Sequence, residues 1–264
     1  MKGIHPTAII DKQAEIAETV TVGPYCVIGP KVFIEEETVL GSHVVIHSHT
    51  RIGKRCNIYS FASIGAPSQD LKYKCEETWV EIGNDNVIRE YVTINRGTTG
   101  GHGTTFIGDK NYLMAYAHIA HDCKIGNHTI LANVATLGGH VEIEDYAIVG
   151  GIVAIHQFVR IGAYAIIGGG SSTVKDIPPY VMASGIRAKL YGLNIVGLKR
   201  HGFSAHVIKA LKKAYKILVY KPITLTEAIK QVKEDSIFSF PEVVHFVDFI
   251  EHSQRGIPRK WEKK

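Results

Sequence analysis

The sequence has little cysteine and no long apolar run, and each shortage excludes a class of protein. The four cysteines stand at positions 26, 56, 75 and 123, without the spacing of a zinc finger or a redox pair. We therefore expect no disulfide framework and a reducing compartment, the cytoplasm. No segment approaches the roughly 20 apolar residues of a membrane helix. The opening residues MKGIHPTAII lack the apolar core and cleavage site of a secretory signal.

Charge is distributed unevenly along a chain that otherwise has the composition of a folded protein. Hydrophobic residues make up 45% and charged residues 21%, which is enough apolar material for a core. Residues 1–187 carry 15 Lys and Arg against 18 Asp and Glu, a net charge of −3, whereas residues 188–264 carry 15 against 7, a net charge of +8. The basic end predicts an anionic partner, and on charge alone a phosphorylated ligand, an acidic protein and nucleic acid all fit.

The dominant pattern is a six-residue repeat that runs from Ile4 to Ile167. All 25 of its leading positions hold Ile, Leu or Val, and the fourth residue after each is small or β-branched in 23 hexads. Gly follows the aliphatic residue in 12 hexads. The pattern predicts a parallel β-helix in which both side chains point inward, with glycine at corners that need unusual backbone angles.

Three hexads are expected to make one coil, and successive coils are expected to stack by strand pairing about 4.8 Å apart. Cys26, Cys56 and Cys123 occupy the small inward position, which predicts buried structural cysteines rather than nucleophiles. The segments 66–79 and 97–106 interrupt the hexads and are predicted to be loops. The handedness of the coil cannot be read from the period.

Helical patterns replace the hexads after about residue 174. A short helix is predicted over 191–201. Three more are predicted to begin after Ser204, after Thr224 or Thr226, and at Pro241, and to end near Tyr220, Lys233 and His252. The predicted domains are therefore a β-helix over 1–187 and a basic helical domain over 188–264.

A polar cluster on the coils carries the chemistry. The stretch AHIAHDC holds His118, His121 and Asp122 close together. Stacking at three hexads per coil places His121, Gly139 and Gln157 in a column, with Asp122 and His140 beside it and His156 next to Gln157. A neutral imidazole can take a proton from a hydroxyl, a carboxylate can orient that imidazole, and a backbone N–H can bind an oxyanion. The cluster predicts a general-base site, whereas His47, His49 and His102 are expected to be structural or at an interface.

Two other interpretations concern the same coils. Three histidines can bind zinc with an open position, but His118 and His121 are closely spaced for two ligands on a β-coil, and we predict no metal site. A column of small residues, Asn133, Gly151 and Gly169, either leaves a groove for an extended apolar tail or consists only of corner glycines.

Several motifs resemble one family over essentially the whole chain. They are IGAPSQDLKY (64–73), AHIAHDC (117–123), LANVATLGGHVEI (131–143), VAIHQF (153–158), DIPPYV (176–181) and GLKRHGF (197–203). Together they resemble the acyl-carrier-protein-dependent UDP-N-acetylglucosamine O-acyltransferases of lipid A biosynthesis. The resemblance implies a left-handed parallel β-helix, a homotrimer with active sites between subunits, and no cofactor. It also implies direct transfer of an (R)-3-hydroxyacyl group from acyl carrier protein to the 3-OH of UDP-N-acetylglucosamine.

The resemblance also implies roles for individual residues. His121 matches the general base, Asp122 the residue that orients it, and the N–H of Gly139 the oxyanion donor. Residues that match the lining of the sugar-nucleotide and acyl cleft are Asp70, Lys72, His118, His140, His156 and Gln157. Asn194 and Arg200 match residues near the nucleotide or pantetheine phosphates, and Gly169 matches the position that limits acyl length.

Some positions depart from the family pattern and leave alternatives open. His201 stands where a second arginine is familiar, Val196 replaces an acidic residue, and the run at 185–188 differs. The acceptor can therefore carry a 3-OH or a 3-amine. The rival enzymes are the related N-acyltransferase, acetyl-CoA-dependent acetyltransferases and a zinc hydratase of the hexapeptide class. A structural solenoid predicts a threonine ladder that the outward positions lack, and no nucleic-acid motif is present.

Overall fold

The chain forms a three-sided parallel β-helix followed by a group of helices. The structure is a computed structural model that describes residues 3–260. Residues 1, 2 and 261–264, the outer ends of the two predicted domains, lie outside the described residues. Within 3–260, none of the helices is both long and apolar enough to cross a bilayer.

Each side of the β-helix is one sheet that takes a strand from every coil. The first sheet contains Gly3–Ile4, Thr21–Val22, Val39–Leu40, Asn57–Ile58, Val87–Ile88, Tyr112–Leu113, Ile130–Leu131, Ile148–Val149, Ile166–Ile167, Val181–Ser184 and Lys189–Leu193. The second contains Ile9–Ile10, Val27–Ile28, Val45–Ile46, Ser63–Ala66, Thr93–Asn95, His118–Ile119, Thr136–Leu137, Ala154–Ile155 and Ser172–Thr173. The third contains Glu15–Ile16, Val32–Ile34, Thr50–Ile52, Trp79–Ile82, Thr104–Ile107, Lys124–Ile125, Glu142–Ile143 and Arg160–Ile161.

The register of the sheets confirms coils of three hexads. Ile10 pairs with Ile28, and Leu131 pairs with Val149. The two interruptions lengthen single coils without disturbing the stack, because Ile64 still pairs with Ile94, and Ile94 with Ile119, across more than three hexads of sequence. The loops themselves span 67–78 and 96–103, slightly less than predicted, because their flanks join strands of the second and third sheets.

The interior is filled as the hexads predict. Ile28, Ile46 and Ile119 are at most 1% exposed, and each such burial contributes about 1.5–3 kcal/mol. Cys26, Cys56 and Cys123 are also buried. Burial raises the pKa of the Cys123 thiol to about 12, so this sulfur is an inert part of the core near neutral pH.

The corners differ from the prediction in a way that has a physical cause. Among residues 3–260, 22 residues other than glycine have φ between 54° and 68°, and most of them lie at corners, including Tyr25, Asp122 and His140. Of the 12 glycines that follow the leading aliphatic residue of a hexad, only Gly65 has a positive φ. The expectation that glycine supplies unusual backbone angles is therefore wrong for most of them. At Gly23 a Cβ atom would lie 2.6 Å from the carbonyl oxygen of the next coil, so close contact between coils explains the glycine.

Up to residue 260, the C-terminal region contains four α-helices: α1 (Ile195–Arg200), α2 (Ala205–Tyr215), α3 (Leu225–Lys233) and α4 (Pro241–Glu251). A π-helical turn, Lys216–Tyr220, extends α2, and a 3-10 turn, Ser236–Ser239, precedes α4. Ser204 and Thr224 cap α2 and α3, and Pro241 opens α4, as predicted. The helix predicted over 191–201 is shorter, because Lys189–Leu193 pairs antiparallel with Val181–Ser184.

Polar contacts attach α4 to the third sheet. The Tyr180 hydroxyl lies 2.8 Å from Nδ1 of His245, and Nε2 of the same ring lies 3.0 Å from a Glu144 carboxylate oxygen. The Arg160 guanidinium lies 4.4 Å from the centre of the Phe249 ring. The last coils and the helices are therefore joined by specific contacts, and the predicted domain division at 187/188 stays a prediction.

Candidate active site

The centre of the candidate site is a hydrogen-bonded histidine–aspartate pair at one corner of the β-helix, in which the carboxylate is buried and the imidazole partly exposed. His121 and Asp122 follow the strand His118–Ile119, at the corner between the second and third sheets. Nδ1 of His121 lies 2.8 Å from Oδ2 of Asp122. This contact leaves Nε2 of the imidazole free to face a substrate. The carboxylate thus fixes the tautomer in which Nε2 is the basic nitrogen.

Asp122 is only 1% exposed, and the loop 96–103 surrounds its carboxylate with donors. The Thr98 hydroxyl donates to Oδ2 at 2.7 Å, and the Thr98 N–H lies 3.1 Å from both oxygens. The N–H of His102 donates to Oδ1 at 2.9 Å. Burial alone would raise the pKa of Asp122, but the hydrogen bonds from Thr98 and His121 outweigh it and hold the pKa below its usual range.

The sequence did not indicate that these donors bind Asp122, and His102 was expected to be structural or at an interface. The sequence places Thr98 at the small position of a hexad and His102 in a glycine-rich loop, with nothing to connect either to Asp122. A Cβ atom at Gly101 would lie 2.4–2.5 Å from the Asp122 carboxylate, so the loop can close over it only with glycine there. The one feature of the sequence that could have drawn attention to this loop is the shift in the register of the six-residue repeat there.

Gly139 lies one coil above His121, as the column predicts. A Cβ atom on Gly139 would lie 2.5 Å from Cε1 and 2.6 Å from Nε2 of His121, so the imidazole lies directly against the bare backbone. Among the residues that the structure describes, the Gly139 N–H donates to no acceptor of the chain, whereas its carbonyl accepts from the N–H of Phe158. A free donor therefore stands beside the basic nitrogen.

His140 completes the cluster. Its Nε2 lies 3.9 Å from Asp122 Oδ2, its ring lies edge-on to His121 at 5.1 Å, and its other face stacks on Phe158 at 4.4 Å. Burial lowers the pKa of His140, and His121 and His102 lower it further against the opposing charge of Asp122. A neutral His140 can accept or donate a hydrogen bond to a ligand at this corner.

A metal ion does not fit this donor set well. The ligand atoms of His121, Asp122 and His140 lie within 4.8 Å of one another, which is compatible with a small cation. However, the Asp122 oxygens already accept from Thr98, His102 and His121. The third histidine of the zinc interpretation, His118, lies outside this group, because its Nδ1 contacts the Thr93 hydroxyl at 2.7 Å.

A cleft of about 510 Å³ opens beside His140. Its walls come from the loop 96–103, from Phe158 and Arg160 on the next coils, and from His252 and Gln254 after α4. Asp70 lies near enough for its charge to act on His140, and its carboxylate accepts from the N–H of Lys72 at 2.9 Å. Lys72 is exposed, so both predicted cleft residues of this loop are available to a ligand.

The other predicted residues of the coils differ in their exposure and contacts. His118 is half-buried, and burial lowers its pKa. His156 and Gln157 are exposed, and Nδ1 of His156 contacts the Arg255 guanidinium. Gly169 lies over Gly151, where an added Cβ would lie 3.2 Å from the Gly151 carbonyl oxygen.

Asn194 and Arg200 lie at opposite ends of α1. Arg200 is exposed in the last turn, as a phosphate-binding residue requires. Asn194 is only 6% exposed, its Oδ1 accepts from the N–H of Gly197, and its Nδ2 donates to the carbonyl of Tyr164. Its side chain therefore already caps a helix and ties it to the β-helix, and its predicted phosphate contact stays a prediction.

Comparison with known proteins places this geometry in a family. The family described as Udp N-acetylglucosamine O-acyltransferase, Domain 2, matches residues 176–258, and the bacterial transferase hexapeptide family (six repeats) matches residues 104–139. The acyl-[acyl-carrier-protein]–UDP-N-acetylglucosamine O-acyltransferase of Thermodesulfovibrio yellowstonii is 58% identical over 259 residues, 98% of this chain and 100% of that protein. The protein of the same name from Syntrophobacter fumaroxidans is 52% identical and covers 97% and 99%.

A solved structure agrees with these relatives. LpxA from Acinetobacter baumannii has a TM-score of 0.95 and 50% sequence identity, covering 97% of this chain and 99% of that one. The predicted fold class, a left-handed parallel β-helix of hexapeptide repeats with a helical C-terminal region, is confirmed. The chain is an acyltransferase, and it belongs to the family of acyl-[acyl-carrier-protein]–UDP-N-acetylglucosamine O-acyltransferases.

Proposed function

We infer that the protein transfers an (R)-3-hydroxyacyl chain from acyl carrier protein to the 3-OH of UDP-N-acetylglucosamine, the first step of lipid A biosynthesis. The relatives' names support the donor and acceptor. The observation that carries the chemistry is the His121–Asp122 pair at 2.8 Å with the free N–H of Gly139 beside it. A base with an oxyanion donor close beside it is what acyl transfer to a hydroxyl requires.

The proposed step uses only groups at this corner. Nε2 of His121 takes the proton from the sugar 3-OH while the oxygen attacks the thioester carbonyl. The carbonyl oxygen becomes an oxyanion that accepts from the Gly139 N–H. When the C–S bond breaks, the imidazolium returns the proton to the leaving thiolate, so no acyl-enzyme forms.

Asp122 stabilises the charge that develops on His121 during this step. Its depressed pKa keeps the carboxylate ionised near neutral pH, and its burial strengthens the interaction with the imidazolium. Cys123, the sulfhydryl next to this pair, is buried with a raised pKa, which supports direct transfer over a thiol intermediate.

The finer parts of the proposal concern the substrates and the assembly. The cleft beside His140 with Asp70, Lys72, His118, His156 and Gln157 would bind the sugar nucleotide and the acyl chain, and Arg200 and Asn194 would lie near the phosphates. Gly169 would leave room for a long chain. A homotrimer, a cytoplasmic location and the absence of a cofactor belong to the same proposal. The alternative acceptor is the 3-amino sugar nucleotide, because His201 and Val196 depart from the family pattern.

The test is an acyl-transfer assay with 3-hydroxyacyl carrier proteins of several lengths and UDP-N-acetylglucosamine. His121→Ala should lower kcat about a thousandfold, because it removes the base. The matched control is His43→Ala, since His43 is an exposed imidazole at another corner, where it stacks on Phe61 and contacts the tilted ring of Tyr25.

Three results would contradict the proposal. Near-normal transfer by His121→Ala would show that His121 is not the general base, even if the protein catalyses the proposed reaction. Wild-type protein that acylates only the 3-amino analogue would replace the acceptor, and wild-type protein that uses only acyl-CoA would replace the donor.

A further inference from the structure

One short segment, 95–99, contacts both of the loops that interrupt the β-helix. It begins at the end of the second-sheet strand Thr93–Asn95 and leads into the loop 96–103. Its N–H groups and side chains also reach the loop 67–78, which belongs to the preceding coil. The loop 67–78 carries two of the predicted cleft residues, whereas the loop 96–103 carries the donors to the candidate base pair. The segment therefore connects two parts of the candidate site.

Two adjacent residues of this segment bind three successive carbonyl groups where the other loop begins. Nε of Arg96 donates to the Gly65 carbonyl at 3.0 Å, and the N–H of Arg96 donates to the Ala66 carbonyl at 3.0 Å. Nδ2 of Asn95 donates to the Pro67 carbonyl at 2.8 Å. Both donor residues are buried, since Asn95 is 3% and Arg96 8% exposed. These hydrogen bonds fix the direction in which the chain leaves the β-helix.

The Arg96 guanidinium is a buried cation without a carboxylate partner. Within residues 3–260, the arginine ion pairs involve other arginines. Nη1 of Arg96 lies 3.4 Å from Nδ1 of His49, and burial lowers the pKa of His49, so the neutral ring can accept this hydrogen bond. An arginine that served packing alone would lower the stability here, because a buried cation loses its hydration. Its hydrogen bonds to the loop give a better reason for its presence.

The rest of the segment binds the far end of the same loop. The N–H of Gly97 donates to the Trp79 carbonyl at 3.2 Å, at the point where the loop rejoins the third sheet. The Thr99 hydroxyl donates to a Glu76 carboxylate oxygen at 3.2 Å. Between these two contacts, Thr98 donates to the carboxylate of the candidate site. A displacement of this segment would therefore move the loop and the carboxylate together.

We propose that Arg96 is a positioning residue, which fixes Asp70 and Lys72 relative to the base His121. This rests on the proposed function, in which the loop 67–78 contacts the sugar nucleotide. Arg96 acts through the backbone of that loop, because its hydrogen bonds end on the loop and on a neighbouring imidazole. A misplacement of about 1 Å can cost about a hundredfold in rate, so a fixed distance between the binding loop and the base has catalytic value.

The first experiment measures kcat and both KM values of Arg96→Met in the acyl-transfer assay. The control is Arg89→Met, which removes a partly buried guanidinium that donates to Glu90 and to the Tyr112 hydroxyl outside both loops. We expect Arg96→Met to raise KM for UDP-N-acetylglucosamine about tenfold, with a smaller loss in kcat and an unchanged KM for the acyl carrier. A variant that only destabilised the fold would lower kcat and leave both KM values unchanged. Arg96→Lys, which keeps the charge and a donor, should restore most of the KM.

The second experiment measures the loop itself and does not depend on activity. Amide hydrogen exchange followed by mass spectrometry should be about tenfold faster over residues 68–77 in Arg96→Met than in the wild type. Peptides from the hexads 130–167 should exchange at the same rate in both proteins, and Arg89→Met should leave the loop unchanged. Faster exchange confined to the loop is the result that a general loss of stability would not produce.

The outcomes separate this proposal from the proposed function. Wild-type protein that transfers no acyl group would contradict the function, and the exchange measurement would still decide whether Arg96 holds the loop. An equal KM for the sugar nucleotide in Arg96→Met and Arg89→Met would overturn the positioning role, as would loop exchange at the wild-type rate. If Arg96→Met does not fold, Arg96→Gln, which keeps a polar side chain, gives the same comparisons.

Discussion

Two corners of the β-helix share one backbone geometry and differ in what their side chains do. At the corner between the first and second sheets, a ladder of rings in contact has φ near 60° at every position, and its members are Tyr25, His43, Phe61, Tyr91 and Tyr116. All but the tilted pair Tyr25 and His43 are stacked. At the corner between the second and third sheets, Asp122, His140 and Phe158 have the same φ. Of these three residues, Asp122 carries a carboxylate in place of a ring, and only His140 and Phe158 stack on each other.

The difference shows that the backbone supplies position and the side chains supply chemistry. In the ring ladder each side chain packs against the rings of the neighbouring coils. At the second corner, the Asp122 carboxylate needs hydrogen-bond donors, which a stacked ring does not supply. The loop 96–103 supplies these donors instead. We infer that a corner residue becomes reactive when its hydrogen-bond partners come from a loop outside the regular stack. Three substitutions test this inference.

Gly139→Ala should have the largest effect of the three. The new methyl group would lie about 2.6 Å from His121 Nε2, so the imidazole must move away from the proposed oxyanion donor. We expect kcat to fall about a hundredfold with little change in melting temperature, since the displaced ring is at the surface. Steady-state kinetics and thermal melting measure the two effects. Gly170→Ala, on the ring-ladder corner, meets no atom within 4 Å and controls for the effect of an added methyl group on kcat, whereas its φ of 67° is expected to lower the melting temperature of that variant.

Thr98→Val should have an intermediate effect and a diagnostic pH dependence. It removes the hydroxyl donor to Asp122, one of the bonds that lower the pKa of this carboxyl. The pKa of Asp122 should therefore rise, and the acid limb of the kcat profile should move to higher pH, with about a tenfold loss near neutral pH. Thr98→Ser should restore the profile.

The same carboxyl contributes to stability with a defined sign. Its folded pKa lies below the unfolded value of about 3.9, so its stabilisation is present above that pH and is lost as pH falls through the folded pKa. In Thr98→Val this stabilisation should be smaller. An acid limb that does not move, with kcat reduced equally at all pH values, would show that Thr98 acts only through loop structure.

Phe61→Ala should have the smallest effect on activity. Phe61 stacks on His43 and Tyr91 with its side chain partly exposed. We expect the free energy of unfolding to fall by about 1 kcal/mol, with kcat and KM unchanged. Denaturant unfolding and the transfer assay check both values. A large loss of activity would mean that the ring ladder takes part in the reaction and that the two corners do not differ as described.

The regular parts of the molecule were predictable because each hexad repeats the same local requirements. The register of three hexads per coil, the buried cysteines and the starts of α2 and α4 follow from period, size and capping. The column arithmetic also placed Gly139 beside His121. Each of these needs only neighbouring residues or a fixed offset.

The rest was not predictable because it depends on irregular backbone. The donors Thr98 and His102 reach Asp122 through a loop whose path no period describes. That the Asn194 side chain caps α1 depends on where the preceding strand ends, and its expected place near phosphates stays a prediction. The glycines that follow aliphatic residues were attributed to unusual backbone angles, whereas close contact between coils explains them. The distance between coils cannot be read from the sequence of one coil.

The two enlarged coils within an otherwise regular stack have a consequence for how such an enzyme can change. Each added segment leaves the rungs above and below in frame, because every coil is bonded only to its neighbours. One of these insertions supplies the donors to Asp122. New chemistry can thus be added to the solenoid as a lateral insertion at one corner, and an unsuccessful insertion can be removed without rebuilding the framework.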